Sequence, residues 1–341
     1  MKDDIVALVV GFCGSMGKRR IRCLKRFSDR QIKIYGDDIH PNRKSIAETL
    51  GIELLDNQGL IPDVVIVSTP PDKHIDIIKK YLRMGSSVFC EASVVPEDRH
   101  HYKEINEICK QTGSKFFPSA TIQFKNIVKK ISKAIREGEI GQPIFYDYKM
   151  AQNLHQWHPH QSIHDFYVSV PATGAGREMC AFELAWLSSI FGHDIDVMSS
   201  CVKSISEIGV STGIDDLYTF VVNHSSAEGK PGVLGTSSID VFSHKIYRFL
   251  RVAGTEGNIE FDWISNQATI FNKSGEVVKT LSEDQVKVHP GYTQFSAEGM
   301  YDNEINNFLD SVLNGGEPEC DMQKDFSILN AVEKIEKISL K

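Results

Sequence analysis

The chain contains no apolar run long enough to cross a bilayer, which argues against a helical membrane span. Its opening, Met1-Lys2-Asp3-Asp4, is acidic and the apolar run behind it is short, unlike a secretory leader. Positive charge is also in short supply. Against 45 Asp and Glu stand 38 Lys and Arg, for a net charge of −7. The small basic cluster Lys18-Arg19-Arg20 lies inside a helical pattern rather than in a dense basic run. Both observations argue against nucleic acid as the main partner. Cysteine is sparse as well: seven residues, an odd number, with no C-x-x-C pair. That is the usage of a reducing cytoplasm, where the protein is expected to reside. The chain carries no internal repeat and no low-complexity linker.

What remains is a globular composition, 41% hydrophobic and 24% charged, in 341 residues. That length exceeds one ordinary core, so two domains are expected. The first third alternates strand and helix patterns. Ile5 to Val10 is an apolar strand, followed by Gly11-Phe12-Cys13-Gly14-Ser15-Met16-Gly17 and a helical pattern through Arg26. Glycines between a strand and a helix let backbone approach a diphosphate, whose charge sits on amides at the helix N-terminus. Asp38 follows the next apolar run, roughly twenty positions beyond Gly17, where an acid meets ribose hydroxyls. The spacing is G-x-x-G-x-x-G, with Phe12 where the usual first glycine stands. Further strand patterns end at Ser68-Thr69-Pro70-Pro71, at Cys90-Glu91 and at Phe117, with helical patterns between them. Repeated β-α units imply a doubly wound parallel sheet with its ligand crevice at the strands' C-terminal ends. This Rossmann-type domain is expected over 1–121.

Past residue 121 the pattern changes. A helix over Phe124 to Arg136 leads into alternating runs from Pro143 onwards, interrupted by one helix at about Glu178 to Phe191. Consecutive alternating strands predict an open, mostly antiparallel sheet in an α+β domain over 122–341. Two amphipathic helices close the chain, and the C-terminal one could pack back on the first domain.

Five local signatures, in order, resemble the glucose–fructose oxidoreductase / inositol dehydrogenase (Gfo/Idh/MocA) family. They are the glycine loop with Asp38, Ser68-Thr69-Pro70-Pro71-Asp72-Lys73-His74, Val88-Phe89-Cys90-Glu91, the Glu-Gly-Glu-Ile-Gly end of the Phe124 to Gly141 segment, and Gly254-Thr255-Glu256-Gly257. The resemblance covers nearly the whole chain. It implies an NAD(P)-dependent oxidoreductase acting on a sugar, with an open-faced sheet commonly buried in a dimer. A homodimer or homotetramer is therefore expected. Two departures matter. Family members usually carry Glu-Lys-Pro where this chain has Glu91-Ala92-Ser93, so the active-site lysine is missing. They also usually place an aspartate and, four residues on, a histidine at positions that fall here on Glu178 and Phe182. The segments Trp157-His158-Pro159-His160, Asp165-Phe166-Tyr167 and Arg177-Glu178-Met179 resemble a divergent branch associated with bacterial surface-sugar gene clusters. That branch implies a nucleotide-linked or carboxylated sugar.

The coenzyme contacts expected from these signatures are Gly11, Cys13, Gly14, Ser15, Met16, Gly17, Asp38, Thr69, Pro70, His74 and Glu91. A carboxylate at Asp38 repels a 2′-phosphate, which favours NAD over NADP. Asp37 is the fallback, and Arg43 keeps NADP open. His155, His158, His160 and His164 cluster within ten positions. A zinc set is conceivable there, but no cysteine is close and the family implies no metal, so none is expected. Oxidising an alcohol needs a base for the hydroxyl proton, and imidazole titrates near neutrality. His158, His164, Tyr167 and Glu178 are the candidates, against the plainer reading of surface histidines and a helix-start charge. Glu183 could share that role or only form a salt bridge. Cys13 substitutes for a small residue, and the stripe Phe182, Trp186 and Phe191 reads as core. Two other readings stay open: a retained NAD serving transient oxidation during epimerisation, elimination or glycoside cleavage, and a silent NAD- or sugar-binding protein.

Overall fold

Strand β1 (Asp4–Val10) is apolar on both faces because helices cover it from both sides, and its last four residues are buried. It pairs in parallel with β2 (Gln31–Asp37) on one side and with β4 (Val64–Val67) on the other. With β3 (Glu53–Leu54), β5 (Ser87–Cys90) and β6 (Phe116–Pro118) they form a six-stranded parallel sheet of order β3-β2-β1-β4-β5-β6. The strand order reverses between β1 and β4, which is the switch point where ligands bind such sheets. Helices α1 (Ser15–Arg26), α2 (Arg43–Leu50), α3 (His74–Arg83) and α4 (Tyr102–Thr112) connect the strands. The expected doubly wound sheet is therefore present.

In this computed structural model the described residues are 4–55, 59–92, 101–156, 162–165, 167–170, 173–206, 214–225, 232–283 and 298–339. By contact the chain forms two compact units, 1–121 with 287–326 and 122–286 with 327–341. Helix α7 (Glu298–Asn314) therefore belongs with the parallel sheet and packs on α1.

Three arginines of α1 converge on the first residue of α7. Glu298 takes Arg19 at 3.1 Å, Arg22 at 3.0 Å and Arg26 at 2.9 Å, and Arg26 also reaches Asp302 at 2.7 Å. Burial opposes ionisation of Glu298. The hydrogen bonds of Arg22 and Arg26 and the charge of Arg19 outweigh it and hold the carboxyl at about 2. A folded pKa depressed below the unfolded value stabilises the fold above about pH 4.5, and this stabilisation disappears as pH falls towards 2. Glu298→Gln should therefore cost about 3 kcal/mol in denaturant titrations at neutral pH. The gap from wild type should narrow steadily between pH 4.5 and 2. A gap independent of pH would contradict the assignment.

The second unit is built on an eight-stranded sheet of order β14-β13-β12-β11-β7-β10-β9-β8. Its strands are β7 (Pro143–Ala151), β8 (Ile195–Lys203), β9 (Leu217–His224), β10 (Val233–Asp240), β11 (Tyr247–Gly254), β12 (Gly257–Asp262), β13 (Gln267–Asn272) and β14 (Val277–Ser282). All pairings are antiparallel except β7 with β10. One face is core, with Tyr146, Tyr148, Phe220, Leu250, Ile259 and Ile270 buried. Helix α6 (Ala175–Phe191) packs on β9 and β10, and α5 (Asn126–Arg136) on β13 and β14. Residues 327–339 of helix α8 (Met322–Ser339) reach β8 through Ser200 Oγ to the Ile335 carbonyl, 2.6 Å. The opposite face exposes Met198, Leu234 and Tyr247, the open face expected from alternation. No helix among the described residues is long and apolar enough to cross a membrane.

Candidate functional site

The turn from β1 into α1 works through close backbone approach. Gly11 adopts φ +81°, and a Cβ there would lie 2.5 Å from the Ser68 carbonyl oxygen. A Cβ at Gly17 would lie 2.4 Å from the Gly11 oxygen and 2.5 Å from Phe12 Cα. Gly14 differs: its missing Cβ would meet nothing closer than 3.4 Å, so the space beside it is open. Gly14 is also the N-cap of α1. It has no side chain to cap the helix, and the first turn, Ser15, Met16 and Gly17, carries no acid. First-turn amides have no intrahelical acceptors, and the helix dipole there favours an anion. Phe12 is fully buried and sits where Gly36 of β2 leaves room, since a Cβ on Gly36 would be 2.6 Å from its ring. The departure from the usual glycine spacing is thus absorbed inside the domain, away from the loop's ligand side.

Asp38 follows β2 directly. Its Oδ2 accepts the Cys13 amide at 2.8 Å and its Oδ1 the His40 amide at 2.8 Å, which fixes the carboxylate beside the glycine loop. Each carboxylate oxygen keeps a further lone pair for a ribose hydroxyl. Burial, and then the neighbouring Asp38 charge, push the Cys13 thiol up to about 11. It stays protonated at neutral pH, so thiolate chemistry is out of reach. Across the switch point, the Ser68 and Thr69 hydroxyls are buried without a hydrogen-bond partner among the described residues. Pro70, the next residue, is exposed. Orphaned hydroxyls beside a glycine cradle, a helix N-terminus and a fixed carboxylate together suit a dinucleotide.

Two further expected contacts have other partners. His74 opens α3, buried, with Nε2 donating to the Thr69 carbonyl at 2.9 Å. Burial lowers its pKa, so the imidazole is neutral and braces the Thr69-Pro70 turn. Glu91 follows β5 and gives both oxygens to Arg20 of α1, at 2.5 and 3.0 Å. Arg20 also meets Glu304 of α7 at 2.8 Å. Glu304 in turn accepts the Ser119 hydroxyl, the Ala120 amide and the Thr121 hydroxyl. This buried network ties the diphosphate helix to the end of β5, and sequence reasoning missed it. No local signal could reveal it, because Arg20 reads as one more helix cation.

In the second unit Glu178 lies in the first turn of α6, 2% exposed. Arg177 beside it pairs with Glu336 at 3.0 Å, a structural contact. Glu183 proves to be the salt-bridge alternative. Fully buried, it takes Arg248 at 2.5 Å and the Trp186 indole at 2.7 Å, with Tyr148 as a third donor. Trp186 and Phe191 are core, while Phe182 is half-buried. His164 is exposed in a 3-10 turn, Ile163–Asp165, and the following turn, Tyr167–Ser169, packs against α6. His155 is exposed, whereas His158, His160 and the Tyr167 side chain lie outside the described residues. Ala92 is half-buried just past Glu91 and offers only a methyl group.

The first unit is thus a dinucleotide-binding α/β domain. Comparison with known proteins specifies it further: residues 5–119 belong to the Gfo/Idh/MocA oxidoreductase family, with its NAD-binding Rossmann fold. The chain is 24% identical over 302 residues to a scyllo-inositol 2-dehydrogenase (NAD(+)) of Bacillus subtilis, covering 83% of this chain and 79% of that protein. Its fold matches an Agrobacterium radiobacter oxidoreductase crystallised with NAD+, L-tartaric acid and magnesium, with a TM-score of 0.80, 14% identity, and 99% and 96% of the two chains covered. It also matches a UDP-N-acetylglucosamine 3-dehydrogenase from Acidithiobacillus ferrooxidans, with a TM-score of 0.73, 13% identity, and 99% and 98% covered. At such identities these structural likenesses speak for the fold.

With NAD as the cofactor, Asp38→Asn is expected to keep the loop's shape, since an amide oxygen still accepts one backbone donor. It should weaken NAD about tenfold and cut the preference over NADP by a similar factor. Calorimetric titration with both coenzymes checks this, and an unchanged preference would remove Asp38 from the ribose.

Proposed function

We propose that the protein is an NAD-dependent dehydrogenase acting on a carbinol carbon of a sugar or sugar derivative, with a nucleotide-linked or carboxylated sugar as the favoured class. The observation that carries this reading is the cradle of Gly11, Gly14 and Gly17 beside the orphaned Ser68 and Thr69 hydroxyls and the fixed Asp38 carboxylate. NAD, when bound, supplies the hydride acceptor. The chain supplies the rest. First-turn amides of α1 hold the diphosphate, and Asp38 takes ribose hydroxyls. The Arg20–Glu91 pair keeps the end of β5 in place. The substrate's hydroxyl proton goes to an imidazole nitrogen of His158 or His164, or to the Glu178 carboxylate, with Tyr167 as a phenolic donor. Those groups stand in for the family's lysine and histidine, which Ala92 and Phe182 cannot replace. The sugar dehydrogenases among the relatives support the substrate class. An assembly of two or four copies that covers the open sheet face, with Met198, Leu234 and Tyr247, belongs to this reading.

The test is a panel of sugars and nucleotide sugars scanned with NAD for the near-ultraviolet absorbance of reduced coenzyme. Turnover is expected, and His158→Ala, His164→Ala or Glu178→Gln should lower it about 100-fold or more where the residue moves the proton. If all three variants turn over like wild type, the proton route lies elsewhere. The residues at Ala92 and Phe182 favour a second reading, a retained NAD with no net reduction. It predicts product without any absorbance change.

A further inference from the structure

Where β7 and β10 end, the second unit holds a cavity of about 380 Å³, lined in part by Lys149, Ser238, Asp240, His244, Lys245 and Tyr247. Its floor is the open sheet face. Ser238 stands opposite Lys149 across the β7–β10 ladder, and Asp240 and Tyr247 both stand opposite Ala151 from its two sides. Directly opposed residues share a face, so these side chains rise together.

The wall is the loop 241–246, and it is built rather than loose. Asp240 Oδ1 accepts the Ser243 amide at 2.9 Å and the Phe242 amide at 3.3 Å. The segment leaving β7 stitches itself to the same loop: Leu154 N–H to the Val241 carbonyl at 3.0 Å, Asn153 Nδ2 to the Phe242 carbonyl at 3.0 Å and Gln156 Nε2 to the His244 carbonyl at 2.9 Å. A wall held at four points loses little entropy when a ligand enters.

The charges are unbalanced in one direction. Among the described residues neither Lys149 nor Lys245 has a carboxylate partner, whereas surface lysines such as Lys33, Lys273 and Lys279 do. Asp240 already serves its own loop amides. In a chain of net charge −7, two uncommitted ammoniums and an imidazole around one cavity stand out. The Tyr247 ring and the Ser238 and Ser243 hydroxyls complete a lining of one aromatic face and several polar groups, and the volume suits a sugar-sized body.

We propose that this cavity is an anion subsite that takes the phosphate or carboxylate of a sugar-sized ligand, held by Lys149, Lys245 and His244. The anion belongs either to the sugar itself or to a separate effector, and the chemistry is the same for both. The proposal does not rest on hydride transfer, and its test needs no coenzyme.

The full chain is titrated calorimetrically with glucose 6-phosphate, glucuronate, glucose and inorganic phosphate, in parallel with Lys149→Met and Lys245→Met. At least one sugar anion is expected to bind about tenfold or more tightly than glucose, and each substitution should weaken it about tenfold. Affinity should fall as salt is raised. A sugar anion that outcompetes inorganic phosphate identifies a ligand carrying its own charge. Equal affinities identify a free anionic effector. Lys245 sits in a loop, so its variant keeps the test sound if Lys149→Met perturbs the sheet. The proposal is overturned if none of the three anions releases heat, or if both variants bind as wild type does. It is also overturned if the substitutions alter only the number of subunits.

Discussion

Gly17→Ala is expected to abolish measurable coenzyme binding, a loss of at least about 100-fold by calorimetry. The added methyl would stand 2.4 Å from the Gly11 oxygen and 2.5 Å from Phe12 Cα, so the β1–α1 turn has to open. Helix propensity points the other way, since alanine is favoured over glycine by about 1 kcal/mol inside a helix. Overpacking against backbone costs about 1–3 kcal/mol and cannot be relieved by a side-chain rotation. Sterics therefore win. Gly14→Ala is the informative control. Its methyl meets nothing closer than 3.4 Å, so the unliganded protein should melt like wild type while NAD no longer raises its melting temperature. If Gly17→Ala bound NAD normally, the diphosphate would not rest on this turn.

Arg20→Met should be the most damaging single change in the core of the parallel-sheet unit. Arg20 and Glu304 are fully buried, and the guanidinium bridges two carboxylates. Removing it leaves Glu91 and Glu304 facing one another without a cation. Burial already pushes the Glu304 carboxyl up, and Arg20 is what opposes that. Breaking such a pair costs about 3–5 kcal/mol, because a buried charge is left uncompensated. Denaturant titration should show that loss. The sign of the pH dependence provides a second readout. Without Arg20 a carboxylate takes up a proton more readily in the folded state, so the variant's deficit should shrink as pH is lowered. A deficit below about 1 kcal/mol would mean that the network contributes little. Because Glu91 follows β5, the same variant should also loosen that strand's end, and weaker NAD binding than the melting shift explains would report it.

Local patterns in the sequence carried much of the first unit. The run Ile5 to Val10, the glycines at 11, 14 and 17 and the acid at 38 are close in the chain, and each is dictated by backbone sterics or by helix-end charge. The second unit was legible as alternation, and the open face followed from it. Its details were not: β12 and β14 carry too few apolar residues to announce themselves, and nothing local signals that β7 pairs in parallel with β10. Among the candidate site residues, Asp38 sits beside the glycine loop as expected. Glu91 and His74 face protein groups instead, because each found a nearer partner in Arg20 or the Thr69 carbonyl.

By itself the sequence determined where a diphosphate can be held, since glycine spacing and helix start are properties of a few consecutive residues. Tertiary structure decided what the charges do. Arg19 and Arg20 look like a solvated basic patch until α7, some 280 residues away, brings Glu298 and Glu304 against them. Phe12 looks like a broken motif until Gly36 makes room for its ring. Lys149 and Lys245 look like ordinary surface cations until strand pairing and a stitched loop set them around one cavity. Desolvation and proximity depend on which segments meet, and a linear pattern does not contain that information.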